Sequence, residues 1–110
     1  MKLKTAEKLW LKEYCHELNR LFPGQIERLS IYGSKARGDA GAESDLDVLL
    51  IVKNELARLK PQIRRVGYML AADGKVVPSI LAYTTREWDQ RRKSGSVLRR
   101  AVERDEVRVL

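Results

Sequence analysis

Leu46–Val52 reads LDVLLIV, seven residues of which only Asp47 is polar. So continuous an apolar run, rich in β-branched residues, places a strand over Asp45–Val52, buried on both faces. A strand of that kind needs other elements packed on it, so the chain must build a real core. Its one polar residue is the informative exception, because an unpaired carboxylate inside that run would be costly to bury. Asp45 stands two positions earlier. Residues two apart on an extended strand point to the same face, with Cα atoms about 6.6 Å apart. Two carboxylates placed this way can converge on one divalent cation. Mg²⁺ takes one or two carboxylates and completes its shell with water and substrate phosphate oxygens.

The segment that leads into this pair, Tyr32 to Asp47, reads YGSKARGDAGAESDLD. Gly33 has no side chain, so a phosphate can approach its backbone closely. Ser34 can donate a hydroxyl to a phosphate, or serve as a helix N-cap. Ser34–Gly38 is expected to form one helical turn, whose free N–H groups make an anion site. Lys35 and Arg37 flank that turn. Side chains two apart on a helix do not share a face, so one of them is expected to reach the phosphates. Arg37 is the better candidate, since a guanidinium binds phosphate in a two-pronged way; its other role would be an ion pair with Asp39 or Glu43. Ser44 is expected to hold the loop before Asp45. Tyr32 is read as strand-edge packing, with a base contact as the alternative.

Ten residues separate Ser34 from Asp45. A hydrophobic strand, Gly-Ser, a spacer of that length and then Asp-x-Asp resemble the signature of the polymerase-beta-like nucleotidyltransferase superfamily. The closer resemblance is to its small prokaryotic branch, the minimal nucleotidyltransferases, which reads GS-x-A-R-G, a polar spacer and SD-x-D. Gly33, Ser34, Ala36, Arg37, Gly38, Ser44, Asp45 and Asp47 fit that pattern. The resemblance implies an α/β (α+β) fold, a short mixed sheet flanked by helices, with Gly-Ser after the first strand and Asp-x-Asp on the second. It implies Mg²⁺ held by Asp45 and Asp47 as the catalytic pair, and an NTP, ATP first among them, bound through Gly33, Ser34, Lys35, Arg37 and Ser44. The reaction would be transfer of a nucleoside monophosphate to a hydroxyl with release of pyrophosphate. The implied partner is a HEPN-type protein, a small helical RNase, in a toxin–antitoxin pair whose antitoxin adenylylates a tyrosine of the toxin.

One departure stands out. Active members usually carry a third carboxylate on the next strand, and the matching stretch here, KVVPSILAY (Lys75–Tyr83), has no Asp or Glu. Ser79 is its only mid-strand polar side chain; Asp73 and Glu43 lie nearby without matching the motif. A positioned general base contributes ~10²–10⁴-fold, so the site would be slow by that much, or would belong to an antitoxin that acts by binding alone.

The 110 residues make one domain, 1–110, with little room for a second core. Apolar content of 44% beside 34% charged residues suits a globular protein and is too apolar for disorder. No apolar stretch approaches the ~20 residues that span a bilayer, and the first residues lack the apolar core of a signal peptide. Cys15 is the only cysteine and can form no internal disulfide. The cytoplasm is the default compartment. A net charge of +7 favours polyanionic or acidic partners; a nucleic-acid-binding module is therefore a further reading, although it leaves the paired aspartates unexplained.

Periodicity places the elements. Thr5–Phe22 reads as an amphipathic helix with Thr5 as N-cap, and Pro23-Gly24 stop it. Ile26–Tyr32 reads as a strand. Lys53–Lys60 is ambiguous. Pro61 fits the first turn of a following helix that ends at Asp73-Gly74. Lys75–Tyr83 reads as the third strand. Thr84 and Glu87 form a capping box that opens a helix to about Lys93. Ser94-Gly95-Ser96 separate it from a further helix, Val97 to about Arg104, and Val107–Leu110 reads as an edge strand. Trp10 and Trp88 are expected to be core or interface anchors. The helices are expected on one face of the sheet.

Overall fold

The computed structural model describes residues 1–41 and 44–110; Glu43, considered above, lies outside them. Its elements are α1 (Thr5–Leu21), β1 (Ile26–Tyr32), α2 (Ser34–Arg37) and β2 (Leu46–Val52). A 3-10 segment (Asn54–Leu59), α3 (Lys60–Leu70), β3 (Pro78–Thr84), α4 (Thr85–Lys93), α5 (Val97–Asp105) and β4 (Val107–Arg108) follow. The strands form one mixed sheet in the order β3-β2-β1-β4. β1 is antiparallel to β2 and β4, and β2 is parallel to β3, the parallel step being carried by α3.

Alternation along β2 sets the layers. Leu46, Val48, Leu50 and Val52 face one side, where they join Leu29, Ile31, Ile80 and Ala82 against Trp10, Leu11, Tyr14 and Leu18 of α1 and Ile63 of α3. On the other side Leu49 and Ile51 pack against Trp88 of α4 and Val102 of α5. Helices therefore cover both faces, which corrects the one-face expectation. The reason lies in β2 itself: leaving Leu49 and Ile51 in water would forfeit about 1.5–3 kcal/mol each. Both tryptophans are core anchors, 3% and 2% exposed.

α1 is locked to α3 by two buried hydrogen bonds. Trp10 Nε1 donates to the Gly67 carbonyl and Tyr14 Oη to the Ile63 carbonyl, each at 2.8 Å. Gly67 makes this approach possible, because a Cβ there would lie 2.5 Å from Ile80 Cδ1 and 2.9 Å from the Tyr14 ring. Burial holds the Tyr14 phenol far above its ordinary pKa.

Several boundaries differ from expectation: Asp45 precedes β2, which begins at Leu46, and β4 ends at Arg108 rather than Leu110. Thr5 is the first helical residue and Lys4 takes the cap position; the Glu7 carboxylate accepts the Lys4 N–H at 2.8 Å. β3 begins at Pro78 rather than Lys75, because the turn before it is closed by Lys75 N–H donating to Asp73 Oδ1. Asp73 is thereby committed to that turn. The Thr84–Glu87 capping box forms as the sequence predicts. No helix among the described residues is long and apolar enough to cross a membrane.

Candidate active site

β1 delivers Tyr32 opposite Asp47 of β2, and β3 places Ser79 opposite Asp47 on its other side. Opposed residues share a face, so Tyr32, Asp47 and Ser79 form a row across the sheet on its α4–α5 side. Asp45 immediately precedes β2 and is exposed; Asp47 is half-buried. Their charges act on one another. Burial raises the Asp47 pKa above the ordinary aspartate value, the Asp45 charge raises it further, and the Arg37 guanidinium pulls it back. The neighbouring Tyr32 phenol is pushed up to about 12, first by burial and then by the Asp47 charge. Its ring packs on the Leu49–Trp88 cluster, so packing is the role the structure displays.

Gly33 follows Tyr32 with φ 74° and ψ −154°, a backbone region open to glycine almost alone. A Cβ at this position would stand 2.5 Å from Asp47 Oδ2. The glycine and the carboxylate are therefore in direct apposition, and the loop seats itself against the metal-ligand candidate. Gly33 also provides the cap of α2, its carbonyl accepting Arg37 N–H at 3.1 Å. Ser34 is thus inside the helix rather than its N-cap, and its hydroxyl makes no hydrogen bond among the described residues. That leaves it available to a ligand.

The two cations of α2 part company. Lys35 is turned inward, its ammonium 3.2 Å from the Glu7 carboxylate of α1, with both side chains only 5% exposed. It holds α2 to α1 and is not presented to a phosphate. Arg37 is 42% exposed and bonds Asp39 at 3.1 Å and Asp105 of α5 at 2.8 Å. The ion pair with Asp39 forms as the sequence allows. Asp105 and Glu7 were not legible as site neighbours; Glu7 signals only that it is an acid in a first helical turn. Ser44 supports the approach to Asp45 through its backbone, its N–H donating to the Gly41 carbonyl at 3.2 Å.

The donor set suits a hard cation. Asp45 and Asp47 offer oxygens only, they repel each other, and neither makes an ion pair or side-chain hydrogen bond among the described residues. Two carboxylates fit Mg²⁺ with phosphate and water as its remaining ligands. Among the described residues no third His, Cys, Asp or Glu joins them, and Ser79 fills the position on β3 beside Asp47.

The raised Asp47 pKa carries a consequence for stability. A carboxyl that binds its proton more tightly folded than unfolded stabilises the fold at low pH, and that contribution is lost as pH rises through the folded pKa. Asp47→Asn should therefore raise the Tm of the metal-free protein at pH 7. The gain should shrink as pH falls into the carboxylate range. Thermal unfolding of the two proteins across pH checks this; an Asn variant that melts below wild type at pH 7 would contradict it.

The chain is similar to several known proteins. The family described as Nucleotidyltransferase domain matches residues 11–104. A Methanocaldococcus jannaschii protein named "Putative protein adenylyltransferase MJ0141" is 32% identical over 80 residues, which cover 69% of this chain and 80% of that one. A second protein of that organism, "Putative protein adenylyltransferase MJ0604", is 39% identical over 41 residues, 37% of this chain and 41% of its own. Among solved structures, one titled as a putative nucleotidyltransferase from Sulfolobus solfataricus superposes with a TM-score of 0.56 at 26% identity. It covers 97% of this chain and 87% of its own. With a family match over residues 11–104 and Gly33 seated against Asp47, the chain belongs to the nucleotidyltransferase domain family, as a minimal nucleotidyltransferase.

Proposed function

We propose that the chain transfers AMP from Mg·ATP to a hydroxyl of a partner protein, in the cytoplasm. The observation that carries this reading is the contact between Gly33 and Asp47, which joins a phosphate-accessible loop to a carboxylate whose charge also acts with that of Asp45. The names of the two relatives, each printed as "Putative protein adenylyltransferase", support ATP as donor and protein as acceptor. In the reaction the acceptor oxygen bonds the α-phosphorus, the bond to the bridging oxygen breaks, and pyrophosphate leaves with its electron pair. The acceptor's proton passes to solvent, since Ser79 stands where a base would act.

Each residue has a part. Gly33 admits the phosphates to the backbone, the Ser34 hydroxyl donates to one of them, and Arg37 offsets charge on the departing pyrophosphate. Asp45 and Asp47 would hold the divalent cation, which when bound neutralises phosphate charge and orients in-line attack.

The acceptor we favour is a tyrosine of a HEPN-type partner, with the pair acting as toxin and antitoxin. A second reading has its own support: Ser79 in place of a carboxylate suits an antitoxin that neutralises by binding alone. Co-expression with the host's HEPN-type RNase separates the two. If catalysis is required, cells should be protected by wild type and not by Asp45→Asn. Equal protection by both would establish binding alone.

A further inference from the structure

Arg37 is held by only part of its guanidinium. Such a group carries five N–H donors in a rigid plane. Nε is taken by Asp39 Oδ2 at 3.1 Å and Nη1 by Asp105 Oδ2 at 2.8 Å, while Nη2 has no partner among the described residues. The two holds are unequal. Asp39 is 62% exposed, where an ion pair is worth little, whereas the Asp105 side chain is 8% exposed.

Asp105 is itself fixed from several directions. Arg104 donates to it through Nε at 3.1 Å and Nη2 at 3.2 Å. Its neighbour Glu106 accepts from Arg28 at 3.0 and 3.1 Å and from Ser30 Oγ at 2.8 Å, which anchors the α5–β4 junction to β1. Glu106 N–H closes onto the Val102 carbonyl at 2.7 Å. A carboxylate at the last residue of a helix opposes the helix dipole, so helix stability does not account for Asp105. Its contact with α2 does.

We propose that Asp105 is the positioning residue for Arg37, clamping one edge of the guanidinium so that its unpartnered nitrogen is presented to the triphosphate. This rests on the reading that Arg37 binds phosphate. It makes the C-terminal helix α5 a part of the nucleotide site, although α5 lies far in sequence from the Gly-Ser loop.

The sign of one substitution separates positioning from plain electrostatics. Removing a negative charge near a polyanion's site should strengthen ATP binding if charge alone acts. Positioning requires the reverse. Isothermal titration of ATP in Mg²⁺ should show Asp105→Asn binding about five- to tenfold more weakly than wild type, where tenfold corresponds to 1.4 kcal/mol. Asp105→Glu, which keeps the charge, should recover part of the loss. In an Arg37→Ala background Asp105→Asn should bring no further weakening, because the coupled group is gone. Unchanged or tighter binding by Asp105→Asn would overturn the proposal, as would an equal loss in both backgrounds, the mark of a merely structural role. Undiminished ATP affinity in Arg37→Ala would remove the phosphate reading of Arg37 and the proposal with it. If the affinities follow the expected pattern while no variant transfers AMP, positioning stands and the transfer reading fails.

Discussion

Gly33→Ala should lower nucleotidyl transfer by at least about a hundredfold, the size of effect that a 1 Å misplacement at a reacting centre produces. Two independent causes act at this position. The backbone stands at φ 74° and ψ −154°, a conformation that costs a side-chain-bearing residue about 1–3 kcal/mol. The new methyl would also meet Asp47 Oδ2 at 2.5 Å. One of them must move, and the carboxylate is the group that catalysis needs. Steady-state kcat/KM beside thermal unfolding tests this. A loss in activity far larger than the loss in stability is expected. Gly41→Ala is the control, since among the described residues its nearest neighbour beyond the adjoining chain is Ser44 Oγ at 3.9 Å; it should behave as wild type. Transfer by Gly33→Ala within threefold of wild type would contradict the apposition.

Glu7→Ala should be the most damaging substitution for stability. Glu7 accepts the Lys4 N–H at the start of α1 and pairs with the buried Lys35 ammonium of α2. Removing one partner of a buried pair leaves an uncompensated charge and costs about 3–5 kcal/mol. Against a total stability of about 5–15 kcal/mol, the variant is expected to melt on the order of 15 °C below wild type. The partner substitution gives the decisive comparison. Glu7→Leu combined with Lys35→Met replaces the pair with apolar groups and should recover most of the loss, since such replacements are often neutral. If the double variant is as unstable as Glu7→Ala, the damage lies in the lost Lys4 contact or in packing instead.

These two sites show how far the sequence can be read and where reading stops. β1 and the Gly-Ser turn follow from local pattern, and the place of Asp47 on the Leu49–Ile51 face follows from alternation, because strand geometry depends on neighbours in the chain; Asp45 lies just before the strand. The three-layer arrangement was half visible. Six apolar residues in LDVLLIV demand cover on both faces, yet the order of elements was read as helices on one face, and α4 and α5 cover the other. Ion pairing was not legible. Lys35 and Arg37 look alike along the chain, yet one meets Glu7, 28 positions away, and the other Asp105, 68 positions away. Which cation turns inward depends on what α1 and α5 bring to α2, and only tertiary packing decides that. The start of β3 was missed for a local reason of another kind: Asp73 closes a turn onto Lys75 and postpones the strand to Pro78.

The most direct test of the central claim is label transfer from α-³²P-ATP to proteins of the host lysate, run with Mg²⁺ or with EDTA, for wild type and Asp45→Asn. The expected result is a protein band labelled by wild type in Mg²⁺ and absent from both EDTA and the variant, with no label when γ-³²P-ATP is supplied. Its mass would identify the acceptor. A well-folded wild-type protein that labels nothing in a lysate containing the HEPN-type partner, or a band that persists in Asp45→Asn, would contradict a transfer centre built on Gly33, Asp45 and Asp47.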